Sequence, residues 1–214
     1  MRINSKDIKI SADTMEITYP VMESFYTIQG EGHFQGHAAY FIRLGGCDVG
    51  CHWCDVKESW PVDTHPLVSI QQLLQQVLDT PCKIVVITGG EPLMHDLNPL
   101  TKTLQEAGIR THIETSGVGK VTGSFDWVCF SPKKFKDPNP TIYPLVNELK
   151  IVVYNKSDFK WAETFVKDMP AGCRLLLQPE WSKKDVINPL IVDFVKQNPN
   201  WNISIQTHKY LQIP

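Results

Sequence analysis

Beyond a polar beginning, the chain alternates short apolar runs with longer stretches in which apolar residues recur at helical spacing. The runs at 21–26, 39–44, 84–88, 110–114, 127–130, 148–153, 174–178 and 202–206 predict strands, because they are short, rich in β-branched and aromatic residues, and bounded by turn formers. Stretches 69–78, 97–107, 160–166 and 185–197 predict helices; Ser69 and Asp185 are placed to cap two of them and Gly108 to close another. Strands alternating with helices predict a parallel sheet. The connections 115–126 and 131–147 are rich in Gly, Pro, Asn and Lys and carry no helical pattern. A complete eight-stranded barrel takes about 250 residues, whereas this chain has 214 and spends many of them on an N-terminal arm and a cysteine loop. The pattern therefore predicts an α/β fold in the form of a partial, open barrel, with its reactive groups at the carboxyl ends of the strands. No repeat, linker or low-complexity block interrupts it, so residues 1–214 read as a single domain in which 1–20 is an arm without an assignable role.

Of the residues, 42% are hydrophobic and 21% charged, with a formal net charge of -2. That supports a sizeable core. The near-neutral balance gives no electrostatic reason to expect nucleic acid as a direct partner, and small-molecule chemistry is favoured. No apolar run approaches the roughly 18 residues of a membrane span, and the polar start has no apolar signal core, so a soluble cytoplasmic protein is expected.

Half of the 6 cysteines fall in the stretch Gly45-Gly46-Cys47-Asp48-Val49-Gly50-Cys51-His52-Trp53-Cys54-Asp55. Small residues let such a loop fold around a common centre, so that its thiols converge. Three readings are open. The thiols are crowded as small buried hydrophobes. Or they hold zinc with His52 or Asp55 as a fourth ligand, without the second ligand pair that zinc modules usually bring. Or they hold an iron-sulfur cluster, in which three thiolates leave one coordination position for substrate or cofactor. Cys82, Cys129 and Cys173 stand singly in or just before apolar segments. They read as packing thiols, which argues against a second cluster and against a disulfide framework.

The Cys-x3-Cys-x2-Cys spacing, with Trp53 before the last cysteine, resembles the cluster loop of radical S-adenosylmethionine enzymes. The resemblance implies one 4Fe-4S cluster on Cys47, Cys51 and Cys54, with S-adenosylmethionine on its open iron. It also implies a partial TIM-like barrel of about six core parallel strands, here with a reduced set of helices. A longer series of motifs narrows the likeness: Ser24-Phe25-Tyr26-Thr27-Ile28-Gln29-Gly30-Glu31-Gly32, Ala39-Tyr40-Phe41-Ile42-Arg43-Leu44, Thr88-Gly89-Gly90-Glu91-Pro92, Ile113-Glu114-Thr115-Ser116-Gly117, Ser131-Pro132-Lys133, Gln178-Pro179-Glu180-Trp181 and the ending 206–214. Together they resemble the 7-carboxy-7-deazaguanine synthase family over nearly all of the chain after the N-terminal arm.

By that resemblance Ile28, Gln29, Gly30 and Glu31 touch a pterin substrate and Arg43 binds its carboxylate. Thr88 contacts it, Glu114 faces its guanidine-like edge, and His208 and Pro214 complete its surroundings. Trp53, Cys54, Asp55, Gly90, Ser131, Pro132, Lys133, Gln178, Pro179, Glu180 and Trp181 are implied to line the cofactor pocket. The chemistry suits these roles. Gln29 can meet an amide-like ring edge, Arg43 can form a two-pronged bond to a carboxylate, and one carboxylate can accept from two ring donors, as could the Pro214 carboxylate. Glu148 and Lys150 open an apolar strand, so either charge can sit inside the mouth. One position departs from the family: Val56 stands where a threonine or serine hydroxyl helps hold Mg2+, and a hard cation needs oxygen ligands. Magnesium is then held by substrate, water and Asp55, or its requirement is relaxed.

The implied activity is that of a radical lyase. Hydrogen is taken from the carboxylate-bearing carbon of 6-carboxy-5,6,7,8-tetrahydropterin, the ring contracts, and loss of ammonia gives 7-carboxy-7-deazaguanine for queuosine or another 7-deazapurine. Reduced flavodoxin or ferredoxin is the implied electron donor and a homodimer the implied assembly, with no membrane and no direct nucleic-acid partner. Two other readings stand beside it: an activase that makes a glycyl radical on a partner protein, and a zinc-stabilised binding module without catalytic activity.

Overall fold

The computed structural model describes residues 11–214, so part of the arm expected over 1–20 lies outside the described residues. The strands are β1 (Thr18–Ile28), β2 (Ala38–Leu44), β3 (Leu67–Ser69), β4 (Ile84–Gly89), β5 (Arg110–Thr115), β6 (Trp127–Phe130), β7 (Glu148–Val153), β8 (Arg174–Pro179) and β9 (Trp201–Ile203). They form one sheet in the order β3-β1-β2-β4-β5-β6-β7-β8-β9. From β2 to β9 every neighbouring pair is parallel, while β1 pairs antiparallel with both β2 and β3. The two end strands do not meet, so the barrel is open.

The helices are α1 (Ala12–Glu16), α2 (Ile70–Leu78), α3 (Asn98–Glu106), α4 (Ser157–Val166), α5 (Lys184–Gln197) and α6 (Thr207–Leu211). Among the described residues none is long and apolar enough to cross a membrane. Ser69 caps α2 in a reciprocal box with Gln72. No α-helix lies between β5 and β6, and only a 3-10 turn at Pro140–Leu145 lies between β6 and β7. The reduced helix set follows from those Gly- and Pro-rich connections.

Alternation along the strands sorts the side chains. Ile42, Ile87, Ile113, Phe130, Leu149 and Leu177 turn outward into one continuous apolar core with the helices. On the inner face a small cluster of Ala39, Ile84 and Val86, with Phe34 and Phe41, fills the space beside the early strands. Further inner positions are polar: Glu114 pairs in register with Cys129, and Cys129 with Glu148.

Three local expectations change. Asp185 does not cap α5: a 3-10 turn at Trp181–Lys183, itself capped by the Glu180 side chain, leads into the helix and leaves Asp185 in the first turn. There its charge still complements the helix dipole. The strand expected at 202–206 ends at Ile203. Ser204 N–H still bonds to β8, on Leu177 O at 2.9 Å, and its hydroxyl donates to Gln178 Oε1 at 2.8 Å and accepts from Gly32 N–H at 3.0 Å. Finally, the strand expected from Val21 begins at Thr18, and Thr18, Tyr19 and Pro20 pair with β3 and extend the sheet.

Candidate active site

At the carboxyl ends of the parallel strands the inner face opens into a cleft of about 400 Å³. The cysteine loop forms one wall. Its entry is held by Gly46 N–H on Ser59 O at 2.7 Å and Cys47 N–H on Trp60 O at 3.1 Å. The exit of β4 packs hard beneath it. A Cβ at Gly90 would stand 2.3 Å from Gly46 O and 2.7 Å from Cys47 Cβ, so only glycine fits there.

Cys47, Cys51 and Cys54 are all free thiols on this cleft. Burial pushes the Cys47 thiol up. Burial also pushes Cys51 up to about 11, opposed by the Lys133 ammonium and reinforced by the other two thiols. Three soft donors on one partly buried loop fit an iron-sulfur centre, whose positive iron would reverse this bias towards protonation. Among the described residues no three His, Cys, Asp or Glu side chains already stand at metal-binding spacing.

Glu91 is buried and binds the ends of two strands together. Its carboxylate accepts from Thr115 Oγ1 and Ser116 Oγ, each at 2.5 Å, from Ser116 N–H at 2.8 Å and from Leu93 N–H at 3.0 Å. Fully bonded within the protein, it shapes the cleft.

The floor carries the densest charge. Lys150, with its side chain 3% exposed, donates to Glu31 Oε2 at 2.5 Å and to Glu114 Oε2 at 2.7 Å. Gln206 Nε2 donates to Glu31 Oε1 at 2.8 Å. Gln29 is committed on both sides of its amide: Nε2 donates to Glu114 Oε1 at 2.9 Å and Oε1 accepts from Glu31 N–H at 3.0 Å. It therefore orients the carboxylates. Burial would raise the Glu31 carboxyl, but the Lys150 ammonium and hydrogen bonds from Lys150, Gln206 and Gln178 hold it down to about 2. Burial works against the Lys150 ammonium, yet the facing Cys129, Glu114, Glu31 and Glu148 raise it well above the usual lysine range. Below the floor, Glu148 Oε2 accepts from His33 N–H at 2.8 Å and so anchors the loop that carries Glu31.

The remaining substrate-side positions surround this floor. Ile28, Gly30, Arg43, Thr88, His208 and Pro214 all line the cleft. Arg43 uses Nε on Glu23 Oε1 at 2.6 Å, its partner in register across β1 and β2, which leaves the terminal guanidinium nitrogens for a ligand. His208 presses on Gly30, where any Cβ would stand 2.2 Å from its Nδ1. Burial lowers the His208 pKa below the usual value, so the ring is mostly neutral near pH 7.

On the cofactor side, Trp53, Asp55, Ser131, Lys133, Pro179 and Trp181 face the cleft, as do Gln178 and Glu180. Pro132 is buried but does not line it. Ser131 and Lys133 alternate inward around it, and Lys133 Nζ donates to Ser131 Oγ at 2.8 Å. Gln178 and Glu180 are partly spent on local bonds, Gln178 to Ser204 and Glu180 to Ser182. Asp55 Oδ2 is paired with Lys209 Nζ at 2.8 Å, and Val56 offers no oxygen. These two side chains do not fit magnesium.

Sequence reasoning passed over Gln206, Lys209 and the stacked Phe25 and Phe41, whose ring centroids lie 5.5 Å apart on the cleft wall. Lys150, one of two charges expected to be able to sit inside the mouth, does line the cleft. Its position two residues after Glu148 on β7 was the available signal for a shared inward face.

An open parallel barrel with a three-thiol loop at its mouth defines a radical S-adenosylmethionine enzyme, and the Radical SAM superfamily pattern matches residues 41–120. The chain is 50% identical over 210 residues to the 7-carboxy-7-deazaguanine synthase of Flavobacterium psychrophilum, covering 98% of this chain and 99% of that protein. It is 48% identical to the synthase of Synechocystis sp., covering 94% and 97%. A crystal structure of QueE from Escherichia coli superposes with a TM-score of 0.81 at 34% identity, covering 89% of this chain and 95% of that one. The chain belongs to the 7-carboxy-7-deazaguanine synthase family.

Proposed function

We propose that this protein converts 6-carboxy-5,6,7,8-tetrahydropterin to 7-carboxy-7-deazaguanine with loss of ammonia, on the path to queuosine or a related 7-deazapurine. The observation that carries the reading is one cleft lined both by the three-thiol loop and by the Arg43, Glu31 and Glu114 charges. Cys47, Cys51 and Cys54 would hold a 4Fe-4S cluster, and Gly90, Ser131, Lys133 and Trp181 would line the S-adenosylmethionine site. When bound, the pair supplies one-electron chemistry and a radical able to take a hydrogen atom.

The chain's own residues do the rest by position. Arg43 offers its free guanidinium nitrogens to the substrate carboxylate. Glu114 and Glu31 accept from the guanidine-like ring edge, Gln29 keeps them oriented, and Thr88 and His208 border the ring. Fixing the reacting carbon beside the cofactor wall and excluding competing donors is the protein's main contribution to rate. No step is assigned to magnesium, because Val56 and the Asp55–Lys209 pair do not suit it.

The core running from Tyr19 to Trp201 supports reading 1–214 as one domain. A reduced flavodoxin or ferredoxin as electron donor, a homodimer and a cytoplasmic setting complete the proposal by family resemblance.

The test is anaerobic incubation of reconstituted protein with dithionite, S-adenosylmethionine and 6-carboxytetrahydropterin, read by mass spectrometry. Formation of 7-carboxy-7-deazaguanine is the expected result. Cofactor cleavage without that product would overturn the substrate assignment, and a colourless protein with one bound zinc would overturn the class.

A further inference from the structure

One buried charge in the cleft has no task in the chemistry above. Lys150 lies on β7 beneath the carboxylates expected to meet the substrate, and the two oxygens it bonds, Glu31 Oε2 and Glu114 Oε2, are within 2.5 and 2.7 Å of its single nitrogen. Two carboxylates this close, away from bulk water and without a cation between them, share a proton. A shared proton would turn one acceptor into a donor. With Lys150 present both remain acceptors, and the pair with its ammonium keeps one surplus negative charge facing the ligand.

We infer that Lys150 is a positioning and specificity-determining residue: it keeps the cleft floor acceptor-only, so that the floor selects a ring with a donor N–C–N edge over one with a carbonyl there. The inference rests on the pterin reading of the cleft and deepens it. The ligand class is a 2-amino-4-oxo bicyclic ring, and the class excluded is the corresponding 2,4-dioxo ring.

The other groups facing Lys150 agree with this role. Cys129, on β6, is held well above the usual thiol range, chiefly by burial. Glu148, on β7 itself, is occupied by His33 N–H and Trp127 Nε1. Lys133, beyond β6, has its pKa lowered by burial, and Lys150 is among the charges acting on it. His208, from α6, has its pKa lowered by burial, opposed by Glu31. Gln178, on β8, and Gln206 add neutral hydrogen bonds to Glu31.

The test is equilibrium binding of 6-carboxypterin and 6-carboxylumazine, which differ in the 2-amino and 2-oxo groups, to the reconstituted protein between about pH 5 and 7, below the range in which the rings lose their own N–H proton. Intrinsic ring fluorescence serves as the readout. Wild type should prefer the amino ring by about tenfold or more, with a preference flat across this range. Lys150→Met should weaken the amino ring by at least about tenfold and shrink the preference. Both losses should recover as pH rises and the shared proton leaves. Glu114→Gln, which places a donor amide on the floor while keeping Lys150, should reduce the preference without recovery as pH rises. It serves where Lys150→Met fails to fold.

Unchanged preference in either folded variant, or a Lys150→Met loss that does not depend on pH, overturns the inference while leaving the pterin reading intact. Wild type that binds neither ring overturns the pterin reading itself, and the inference with it.

Discussion

On β5, Ile113 turns outward into the apolar layer while the next residue, Glu114, turns inward to the cleft; on β7, Leu149 and Lys150 repeat the contrast. The two faces of this sheet are one peptide bond apart and follow opposite rules. Outward positions are mostly apolar, with Thr111 and Thr115 on β5 as hydrogen-bonded exceptions, and each buried apolar side chain there contributes about 1.5–3 kcal/mol. Inward positions near the carboxyl ends are charged or polar, bonded to one another across strands, and contribute recognition where an apolar side chain would pack more simply. One face therefore holds the fold and the other binds and positions what reacts.

Perturbations should separate along that line. The largest effect belongs to the cysteine wall: Cys51→Ala should abolish turnover and lower bound iron after reconstitution, while changing unfolding of the metal-free protein by only about 1 kcal/mol. Phe130, fully buried against Tyr143 and Phe165, should do the reverse. Phe130→Ala should cost about 3–5 kcal/mol in urea unfolding and leave turnover per folded molecule close to wild type.

A third, smaller effect is pH-dependent. Glu31 is held down to about 2 from an ordinary 4.5, so its contribution is fully present above pH 4.5 and is lost as pH falls towards 2. Glu31→Gln should flatten the stability-versus-pH curve in that acid window and leave its slope above it unchanged. The smallest effect is at Val56. Wild-type turnover should be indifferent to added magnesium or to a chelator, and Val56→Thr should introduce a magnesium response.

Legibility in the sequence divides along the same faces. The parallel strands and the longer helices were readable because outward apolar residues repeat with the period of each element, and 84–88, 110–114 and 148–153 fall within one residue of the observed ends. β3, β9 and α1 carry too few residues for a period to form. The cysteine loop and the strand-end motifs were visible as local patterns, and all but Pro132 of the residues they implied reach the cleft. What stayed hidden depends on pairing across the fold. Lys209 meets Asp55 from 154 positions away, Lys150 meets Glu31 across 119, and Glu91 is recognisable as a strand fastener only once Thr115 and Ser116 are beside it. Such pairs have no period and no fixed spacing, so they belong to the fold and not to any stretch of chain.

The most direct test of the division is a matched pair of neighbours, Ile113→Ala and Glu114→Gln, measured for urea unfolding and for kcat/KM on the same reconstituted preparations. Ile113→Ala should lose about 2–5 kcal/mol of stability and keep kcat/KM per folded molecule, whereas Glu114→Gln should keep stability to within about 1 kcal/mol and lose kcat/KM by at least about tenfold. Equal losses of both quantities in the two variants, or the reverse assignment, would contradict the account.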